Sequence, residues 1–319
     1  MRIAVLTSGG DAQGMNTCIK VLAKIASFNK KIEFWGVTHG FQGLIDDEFS
    51  PINYQTMKNI NHIGGTVLKS SRSRKFTTVA GLNTAVENIK KHKIDVLIVI
   101  GGDGSFRGLT SLNDKGIKTM AIPATVDNDL YYTDNSLGFD SAVNVAVNAI
   151  ENISQTMASL DRACVLEVMG RFCGSIAMMS AAACAAEVVV TTEHPLSEEE
   201  IVAKVKKSIA MGITSPMVVV SEHIYDISKL AAEIEFHTKK ETKYNILGYV
   251  QRGGLASVKD RLLAMQFAVR AMELIESKNF NRAVGIRDNK IIDVDMETAN
   301  KSKSNFDEEL YKLFEKLNS

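Results

Sequence analysis

The chain of 319 residues carries 37 Lys and Arg residues against 37 Asp and Glu residues, so its formal net charge is zero. A hydrophobic fraction of 45% and a length that suits about two domains of roughly 150 residues each indicate a folded globular protein. Because the chain has no basic excess and no apolar run near the ~20 residues that span a bilayer, we expect neither a nucleic-acid partner nor a membrane partner.

Short apolar runs alternate along the chain with longer amphipathic segments. The runs predicted as buried strands are Ile3–Leu6, Glu33–Val37, Val96–Ile100, Thr119–Ile122, Cys164–Val168, Val188–Val190 and Met217–Val220, followed by a short pair around Val284–Gly285 and Ile291–Asp293. The segments predicted as helices are Met15–Ser27, Ser105–Lys115, Ala142–Thr156, Gly174–Ala185, Ser197–Met211, Val258–Ser277 and Asn305–Leu317. Strands alternating with helices of this length predict an α/β fold with mostly parallel sheets.

The four cysteines of the chain include no Cys-x-x-Cys pair. Such usage is typical of reduced thiols in the cytosol. The first ten residues resemble a strand that ends in a glycine turn, and they lack the longer apolar core of a secretory signal. We therefore expect a cytoplasmic protein.

Two predicted strands open into the same tripeptide, Gly-Gly-Asp, at Gly9–Asp11 and Gly101–Asp103. Glycines let a backbone approach a phosphate, and the N–H groups of a following helix attract an anion. Taken alone, such a glycine loop is better explained as a tight turn without a ligand, and Asp103 is compatible with the common role of a helix N-cap. Neither loop matches the dinucleotide-binding or P-loop pattern. Since ligands bind beyond the carboxyl ends of parallel strands, two such loops on one sheet can face one crevice.

Acidic and basic groups follow other strands. Asp127 and Asp129 lie just after a predicted strand, where one carboxylate can hold Mg²⁺ and the other can accept a hydroxyl proton. Arg171 and Arg252 lie beside glycines, as suits a phosphate clamp. A polar turn or a surface arginine remains the alternative for each segment alone. Together the acidic residues, glycines and arginines favour phosphoryl transfer.

At this point the chain resembles the bacterial-type, ATP-dependent 6-phosphofructokinase family, as a diverged member. The matching segments run in the family's order over nearly the whole chain: Gly9–Asn16, Gly64-Gly65-Thr66, Ser71-Arg72, Gly101–Ser105, Thr125–Asp129, Gly138-Phe139-Asp140, Met169-Gly170-Arg171, Ser221-Glu222-His223, Gln251-Arg252-Gly253-Gly254 and Asp260-Arg261.

The resemblance implies that MgATP phosphorylates the 1-hydroxyl of fructose 6-phosphate. It implies that Asp127 is the base, that Thr125 and Arg171 stabilise the transferring group, and that Asp103 and Asp129 serve Mg²⁺. The nucleotide-binding residues that it implies are Gly10, Arg72, Gly102, Gly104, Ser105 and Gly108. The substrate-binding residues that it implies are Thr125, Asp127, Asp129, Arg162, Met169, Gly170, Arg171, Glu222, Lys243, Tyr249 and Arg252.

The same resemblance implies two Rossmann-like, three-layer α/β/α domains with mostly parallel sheets that enclose an active-site cleft. A larger nucleotide-binding domain is expected over residues 1–138 plus 251–301, and a smaller sugar-phosphate-binding domain over residues 139–250 plus 302–319. The expected assembly is a homotetramer with active sites at subunit interfaces, in which Arg162 and Lys243 reach a neighbouring subunit's site.

Several positions depart from the family pattern. Lys243 and Tyr249 replace Arg and His in the sugar-phosphate site, which predicts weaker or altered binding there, because Lys lacks the bidentate fork of Arg. Gly104 favours ATP over pyrophosphate, since pyrophosphate-using relatives carry Asp there and Lys in place of Ala124. On the nucleotide side Ser73 and Thr77 replace an aromatic and a basic residue.

The expected effector site departs furthest. It keeps Lys20, Lys24 and Glu187, but it carries no cation at three positions where cations are usual: Ser154, Met211 and Ile213. Losing three cations predicts little or no response to ADP or phosphoenolpyruvate. Two alternatives to the leading hypothesis remain, a catalytically weak paralogue acting as a partner or regulatory subunit, and a kinase for a related sugar phosphate or one using pyrophosphate.

Overall fold

The computed structural model describes residues 1–301 and 305–318. Its strands, in chain order, are β1 (Arg2–Thr7), β2 (Glu33–Val37), β3 (Phe49–Pro51), β4 (Val96–Gly101), β5 (Thr119–Pro123), β6 (Ala163–Val168), β7 (Val188–Val190), β8 (Met217–Ser221), β9 (Thr242–Ile246), β10 (Arg282–Arg287) and β11 (Lys290–Asp295).

The α-helices interleave with these strands as predicted for an α/β protein. In chain order they are α1 (Met15–Phe28), α2 (Gly40–Ile45), α3 (Tyr54–Met57), α4 (Val79–Lys91), α5 (Asp103–Asn113), α6 (Phe139–Ser159), α7 (Ser175–Ala183), α8 (Glu198–Ala210), α9 (Ile227–Thr238), α10 (Val258–Glu276), α11 (Met296–Ala299) and α12 (Glu308–Leu317). Every helix in the described part of the chain is too short or too polar to cross a membrane.

The described residues form two compact units. The first contains residues 1–141 and 252–301, and the second contains residues 142–251 and 305–318. Residues 302–304 and 319, which the sequence analysis assigned to the smaller domain, lie outside the described residues.

The first unit is built on a mostly parallel sheet with strand order β11-β10-β5-β4-β1-β2-β3. Its central strands β1, β4 and β5 are buried along almost their whole length. Helices cover both faces of such a sheet, so the strands are apolar on both sides rather than alternating. Only the edge pairs β2–β3 and β10–β11 are antiparallel.

The second unit contains a parallel sheet with strand order β7-β8-β6-β9. The apolar pattern of the sequence predicts β6, β7 and β8 but not β9, whose residues include Lys243, Tyr244 and Asn245. Strand β9 lies at the edge of the sheet, so only one of its two sides pairs with another strand and its side chains need not all be buried. It therefore lacks the continuous apolar sequence of the neighbouring strands. The pattern also fails to predict β3, α2, α3, α4, α9 and α11. Of these, α4 and α9 bury apolar residues at helical spacing.

Candidate active site

In the first unit the carboxyl ends of β1, β4 and β5 lie side by side. Strand β4 pairs in parallel with β1 on one side and with β5 on the other. The N–H of Ser8 donates to the carbonyl of Ile100 at 3.0 Å, and that of Ala124 donates to the carbonyl of Gly101 at 2.9 Å. The two Gly-Gly-Asp loops and the Thr125–Asp129 segment therefore share one edge of the sheet, which we call the acidic edge.

Two of the predicted carboxylates interact electrostatically at this edge. Asp103 is the first residue of α5, and its carboxylate lies 2.6 Å from the guanidinium of Arg107. Burial raises the pKa of Asp129, and the charge of Asp103 raises it further. The Oδ1 atom of Asp129 is buried and has no hydrogen-bond partner among residues 1–301 and 305–318. A cation placed between the two carboxylates would offset both the burial of the Asp129 charge and its repulsion by Asp103.

The loop that carries Asp127 is fixed by two residues that the sequence analysis did not select. Asn128 is buried, with the left-handed φ of 52° that Asn tolerates better than most residues. Its side chain donates to the carbonyl of Asp134 at 3.0 Å and accepts from the N–H of Ser136 at 3.0 Å. The Ser136 hydroxyl donates to the carbonyl of Thr125 at 2.6 Å. The position of Asn128 between two Asp residues was the available signal in the sequence. The sequence does not show, however, that its side chain bonds to Asp134 and Ser136.

The predicted nucleotide-binding residues after β4 have different surroundings. A Cβ at Gly104 would meet nothing within 4 Å, whereas one at Gly108 would lie 2.8 Å from the ring of Phe41. Gly102 lies beside Thr125, and Ser105 is buried. Gly104 therefore faces open space, while Gly108 makes room for an aromatic ring.

The predicted nucleotide-binding residue Arg72 is exposed, in a segment that follows β3 and α3. The hydroxyl of Ser71 donates to the carbonyl of His39 at 2.7 Å. Ser73, which replaces an aromatic residue of the family, donates to Oε1 of Gln42 at 2.7 Å and accepts from the N–H of Phe76 at 3.1 Å. These bonds fix the backbone on both sides of Arg72.

The structure also brings Arg252 to the first Gly-Gly-Asp loop. Its Nε donates to the carbonyl of Asp11 at 3.1 Å, and its guanidinium forms an ion pair with the Asp11 carboxylate. A Cβ at Gly10 would lie 2.8 Å from the guanidinium, so a larger residue there would displace the Arg252 side chain. The role of Asp11 as the partner of Arg252 was not predicted, since 241 residues separate them.

In the second unit, a group of exposed or half-buried polar side chains follows β6 and β8. These strands pair in parallel, and the N–H of Glu222 donates to the carbonyl of Val168 at 2.8 Å. The guanidinium of Arg171 donates to Nε2 of His223 at 2.8 Å. The N–H of Met169 donates to the side chain of Gln251 at 3.2 Å. We call this edge, with Met169, Gly170, Arg171 and Glu222, the basic edge.

Tyr249 lies in the short turn after β9, and 80% of its surface is exposed. Strand β9 pairs in parallel with β6, and the N–H of Leu247 donates to the carbonyl of Glu167 at 3.1 Å. The turn therefore follows the same end of the sheet as the basic edge.

Arg162 and Lys243 lie at the opposite end of that sheet. Arg162 immediately precedes β6, and Lys243 pairs in register with Cys164 near the start of β6. Four residues of strand, about 13 Å, separate Cys164 from Val168. Both cations contact Glu241, at 2.7 Å and 2.8 Å. Within one chain, the structure brings these two predicted substrate-binding residues together but not to the basic edge.

Comparisons with known proteins identify the family of the chain. The model of the family described as "Phosphofructokinase" matches residues 2–275. The chain is 40% identical over 311 residues to the ATP-dependent 6-phosphofructokinase of Clostridioides difficile. The aligned region covers 98% of this chain and 97% of that protein. It is 37% identical over 317 residues to ATP-dependent 6-phosphofructokinase 1 of Clostridium perfringens, with 99% of both chains covered.

Solved structures resemble the fold. Phosphofructokinase from Pichia pastoris, crystallised in the T-state, superposes with a TM-score of 0.87 at 26% identity over 94% of this chain, which spans 35% of the yeast chain. The pyrophosphate-dependent phosphofructokinase from Nitrosospira multiformis has a TM-score of 0.86 at 22% identity, covering 95% of this chain and 85% of that one. Because the family model and the bacterial relatives match nearly its whole length, the chain belongs to the phosphofructokinase family.

Proposed function

We propose that this protein is an ATP-dependent 6-phosphofructokinase of glycolysis, acting in the cytoplasm. It transfers the γ-phosphoryl group of ATP to the 1-hydroxyl of fructose 6-phosphate, giving fructose 1,6-bisphosphate and ADP. The observation that carries the proposal is the acidic edge, where Asp103, Asp127 and Asp129 follow the adjacent strands β4 and β5. Phosphoryl transfer uses such a set of carboxylates for a metal ion and for the nucleophile's proton.

Asp127 is the general base of this reaction. Its carboxylate takes the proton of the sugar's 1-hydroxyl as the oxygen attacks the γ-phosphorus and the bond to the ADP oxygen breaks. The N–H of Asp127 donates to Oγ1 of Thr125 at 3.2 Å, which restricts where the carboxylate lies. Thr125 and Arg171 donate hydrogen bonds to the transferring phosphoryl group, whose charge grows in the transition state.

The residues of the acidic edge fit Mg²⁺. The test is the buried Oδ1 of Asp129, which has no hydrogen-bond partner in the described part of the chain, next to the carboxylate of Asp103. No group of three or more His, Cys, Asp or Glu residues suited to a metal occurs among the described residues. Mg²⁺ commonly takes only one or two carboxylates and fills its octahedron with phosphate oxygens and water. Asp103 and Asp129 would hold the ion, and it would neutralise charge on the phosphates.

Gly10, Arg72, Gly102, Gly104, Ser105 and Gly108 form the proposed nucleotide site. The open space at Gly104 supports ATP as the phosphoryl donor, because a side chain there would meet the nucleotide instead of protein. The buried Ser105 follows the N–H groups that begin α5, and such groups favour an anion.

The proposed sugar-phosphate site comprises Met169, Gly170, Arg171, Glu222, Tyr249 and Arg252, with Arg162 and Lys243 supplied by a neighbouring subunit of a homotetramer. The position of Arg162 and Lys243 at the far end of β6 supports a role in another subunit's site. Tyr249 is larger than the family's His, and Lys243 cannot form a bidentate pair. We expect weaker binding of fructose 6-phosphate than in relatives that have Arg and His.

The effector pocket of the family has lost its function in this chain. Lys20 donates to Oδ1 of Asn61 at 2.8 Å, and Glu187 accepts from the N–H of Met217 at 2.6 Å. Ser154 donates to the carbonyl of Glu151 at 3.2 Å, a bond within its own helix. Met211 is exposed and uncharged. These contacts provide structural roles without the cation cluster that a polyanion needs.

The deciding experiment supplies the purified protein and Mg²⁺ with fructose 6-phosphate and either ATP or pyrophosphate, and measures fructose 1,6-bisphosphate. We expect product with ATP and none with pyrophosphate. Product with pyrophosphate alone would reassign the donor, and no product with either would support a partner-subunit role. Tagatose 6-phosphate and fructose 1-phosphate as alternative acceptors test the preferred sugar.

A further inference from the structure

Arg171 lies at the tip of the loop between β6 and α7, and its side chain is exposed. Its side-chain contacts include His223, which is also exposed. Contacts between exposed side chains fix a backbone weakly, because such side chains keep much of their rotamer freedom. Placing a guanidinium on a transferring phosphoryl group needs accuracy better than about 1 Å. The backbone below Arg171 therefore needs its own support.

That support comes from the segment Thr191–His194, which follows β7. The hydroxyl of Thr192 donates to the carbonyl of Arg171 at 3.1 Å. The carboxylate of Glu193 accepts from the N–H of Gly174 through both oxygens, at 3.0 Å and 3.2 Å. One short segment thus holds the tip of the Arg171 loop and the point where the loop enters α7.

Close packing transmits the position of this segment to the loop. A Cβ at Gly174 would lie 2.3 Å from the Cβ of Thr191, so the side chain of Thr191 packs directly on the backbone of Gly174. Gly170 has φ of 120°, and a Cβ there would lie 2.5 Å from the carbonyl oxygen of Cys173. With Cys173 buried as well, the loop has little room to adjust if the segment moves.

Helix α12 holds the segment from its other side. The His194 ring stacks on that of Tyr311 with centroids 3.7 Å apart and planes at 8°. Its Nε2 lies 2.9 Å from Oε2 of Glu308. Phe314 of the same helix is buried. The N–H of His194 donates to Oγ1 of Thr191 at 3.1 Å, which joins these contacts to the segment.

We propose that Thr192 and Glu193, held by α12, are positioning residues for Arg171. The proposal rests on the proposed function, because it assigns Arg171 to the transferring phosphoryl group. If Arg171 acts on that group in the transition state, a displaced loop lowers kcat and leaves the KM for ATP nearly unchanged.

The test compares Thr192→Val with Thr192→Ser and with the matched control Thr238→Val. Thr238 lies in the same unit and also donates its hydroxyl to a backbone carbonyl, that of Ile234 at 2.6 Å, within α9. We expect kcat about tenfold lower in Thr192→Val with the KM for ATP within about twofold. Thr192→Ser and Thr238→Val are expected to keep kcat within about twofold of the unsubstituted protein, because each leaves the donor to Arg171 in place.

Glu193→Ala tests the second contact in the same assay, and hydrogen exchange supplies a readout that does not depend on turnover. The amides of residues 170–175 are expected to exchange faster in Thr192→Val and Glu193→Ala than in the unsubstituted protein. Their exchange rates are expected to stay unchanged in Thr238→Val. Unchanged kcat in both variants overturns the positioning role, and so does an equal loss in Thr238→Val. Absence of turnover in the unsubstituted protein overturns the proposed function and the positioning role together.

Discussion

The acidic edge of the first unit and the basic edge of the second place their charged groups in contrasting surroundings. The acidic groups lie in a partly buried loop braced by the buried side chains of Asn128 and Ser136. The basic edge presents the exposed side chains of Arg171 and His223. Burial holds carboxylates where metal and proton chemistry need them, at a cost in desolvation. Exposure lets arginines meet a soluble anion without that cost. The comparison predicts that changes at buried positions of the first unit affect stability, whereas changes at exposed positions affect chemistry alone.

The largest expected effect follows from Asp127→Asn, which keeps the shape of the side chain and removes the base. We expect kcat to fall by about 10³-fold, within the range for loss of a general base. The measurement is the rate of fructose 1,6-bisphosphate formation from ATP. Asp114→Asn, at the exposed C-terminal end of α5, is the control and should keep full activity. Turnover above a tenth of the unsubstituted rate would remove Asp127 from the role of base.

The next effect tests the buried charge of the first unit through pH. Burial raises the pKa of Asp260 from its usual value of 3.8 to about 6, although its carboxylate accepts the N–H and hydroxyl of Ser141 at 2.9 Å and 2.6 Å. The folded state binds the Asp260 proton more tightly than the unfolded state does, so protonation stabilises the fold. This stabilisation is complete below pH 3.8 and is lost as the pH rises through 6. The difference amounts to about 3 kcal/mol.

Asp260→Asn removes this titration, and its amide oxygen can still accept both bonds from Ser141. Urea unfolding of the two proteins between pH 4 and pH 7 measures the change. The free energy of unfolding of the unsubstituted protein, minus that of the variant, should fall by about 2.4 kcal/mol over this range, because part of the total is already lost at pH 4. Parallel profiles would show that Asp260 does not titrate as the structure indicates.

A smaller effect distinguishes two glycines of the proposed nucleotide site. Gly104→Asp places a carboxylate in open space, so we expect kcat/KM for ATP to fall about tenfold through repulsion of phosphate, with stability unchanged. Gly108→Ala instead forces a methyl group against Phe41, and it should lower the free energy of unfolding by about 1–3 kcal/mol. Steady-state kinetics and urea unfolding separate the two. Equal losses of stability would contradict the open space at Gly104.

The smallest effect is expected from effectors. ADP or phosphoenolpyruvate at millimolar concentration should change the rate at subsaturating fructose 6-phosphate by less than about twofold, because Ser154, Met211 and Ile213 supply no charge for a polyanion. Initial rates across an effector titration measure this. Sigmoidal inhibition or strong activation would show that other residues bind these ligands.

Much of the fold was predictable because it depends on local pattern. The continuous apolar runs of β1 and β4 and the alternation of strands with helices predicted the parallel sheets, and the predicted family is confirmed. Strand β9 escaped prediction because an edge strand needs no apolar pattern. The roles of individual site residues remain predictions that the experiments above can test.

The sequence by itself determined the reaction class. Phosphoryl transfer requires acidic residues, glycines and arginines at strand ends, and these residue types can be read directly from the sequence. Only the tertiary structure decided which groups meet. It pairs Arg252 with Asp11, separates Lys243 from Arg171 along β6, and buries Asp260 between the starts of α6 and α10. These outcomes depend on contacts between residues far apart in the chain. Burial and neighbouring charge then set the pKa of each group, and neither can be read from residue identity.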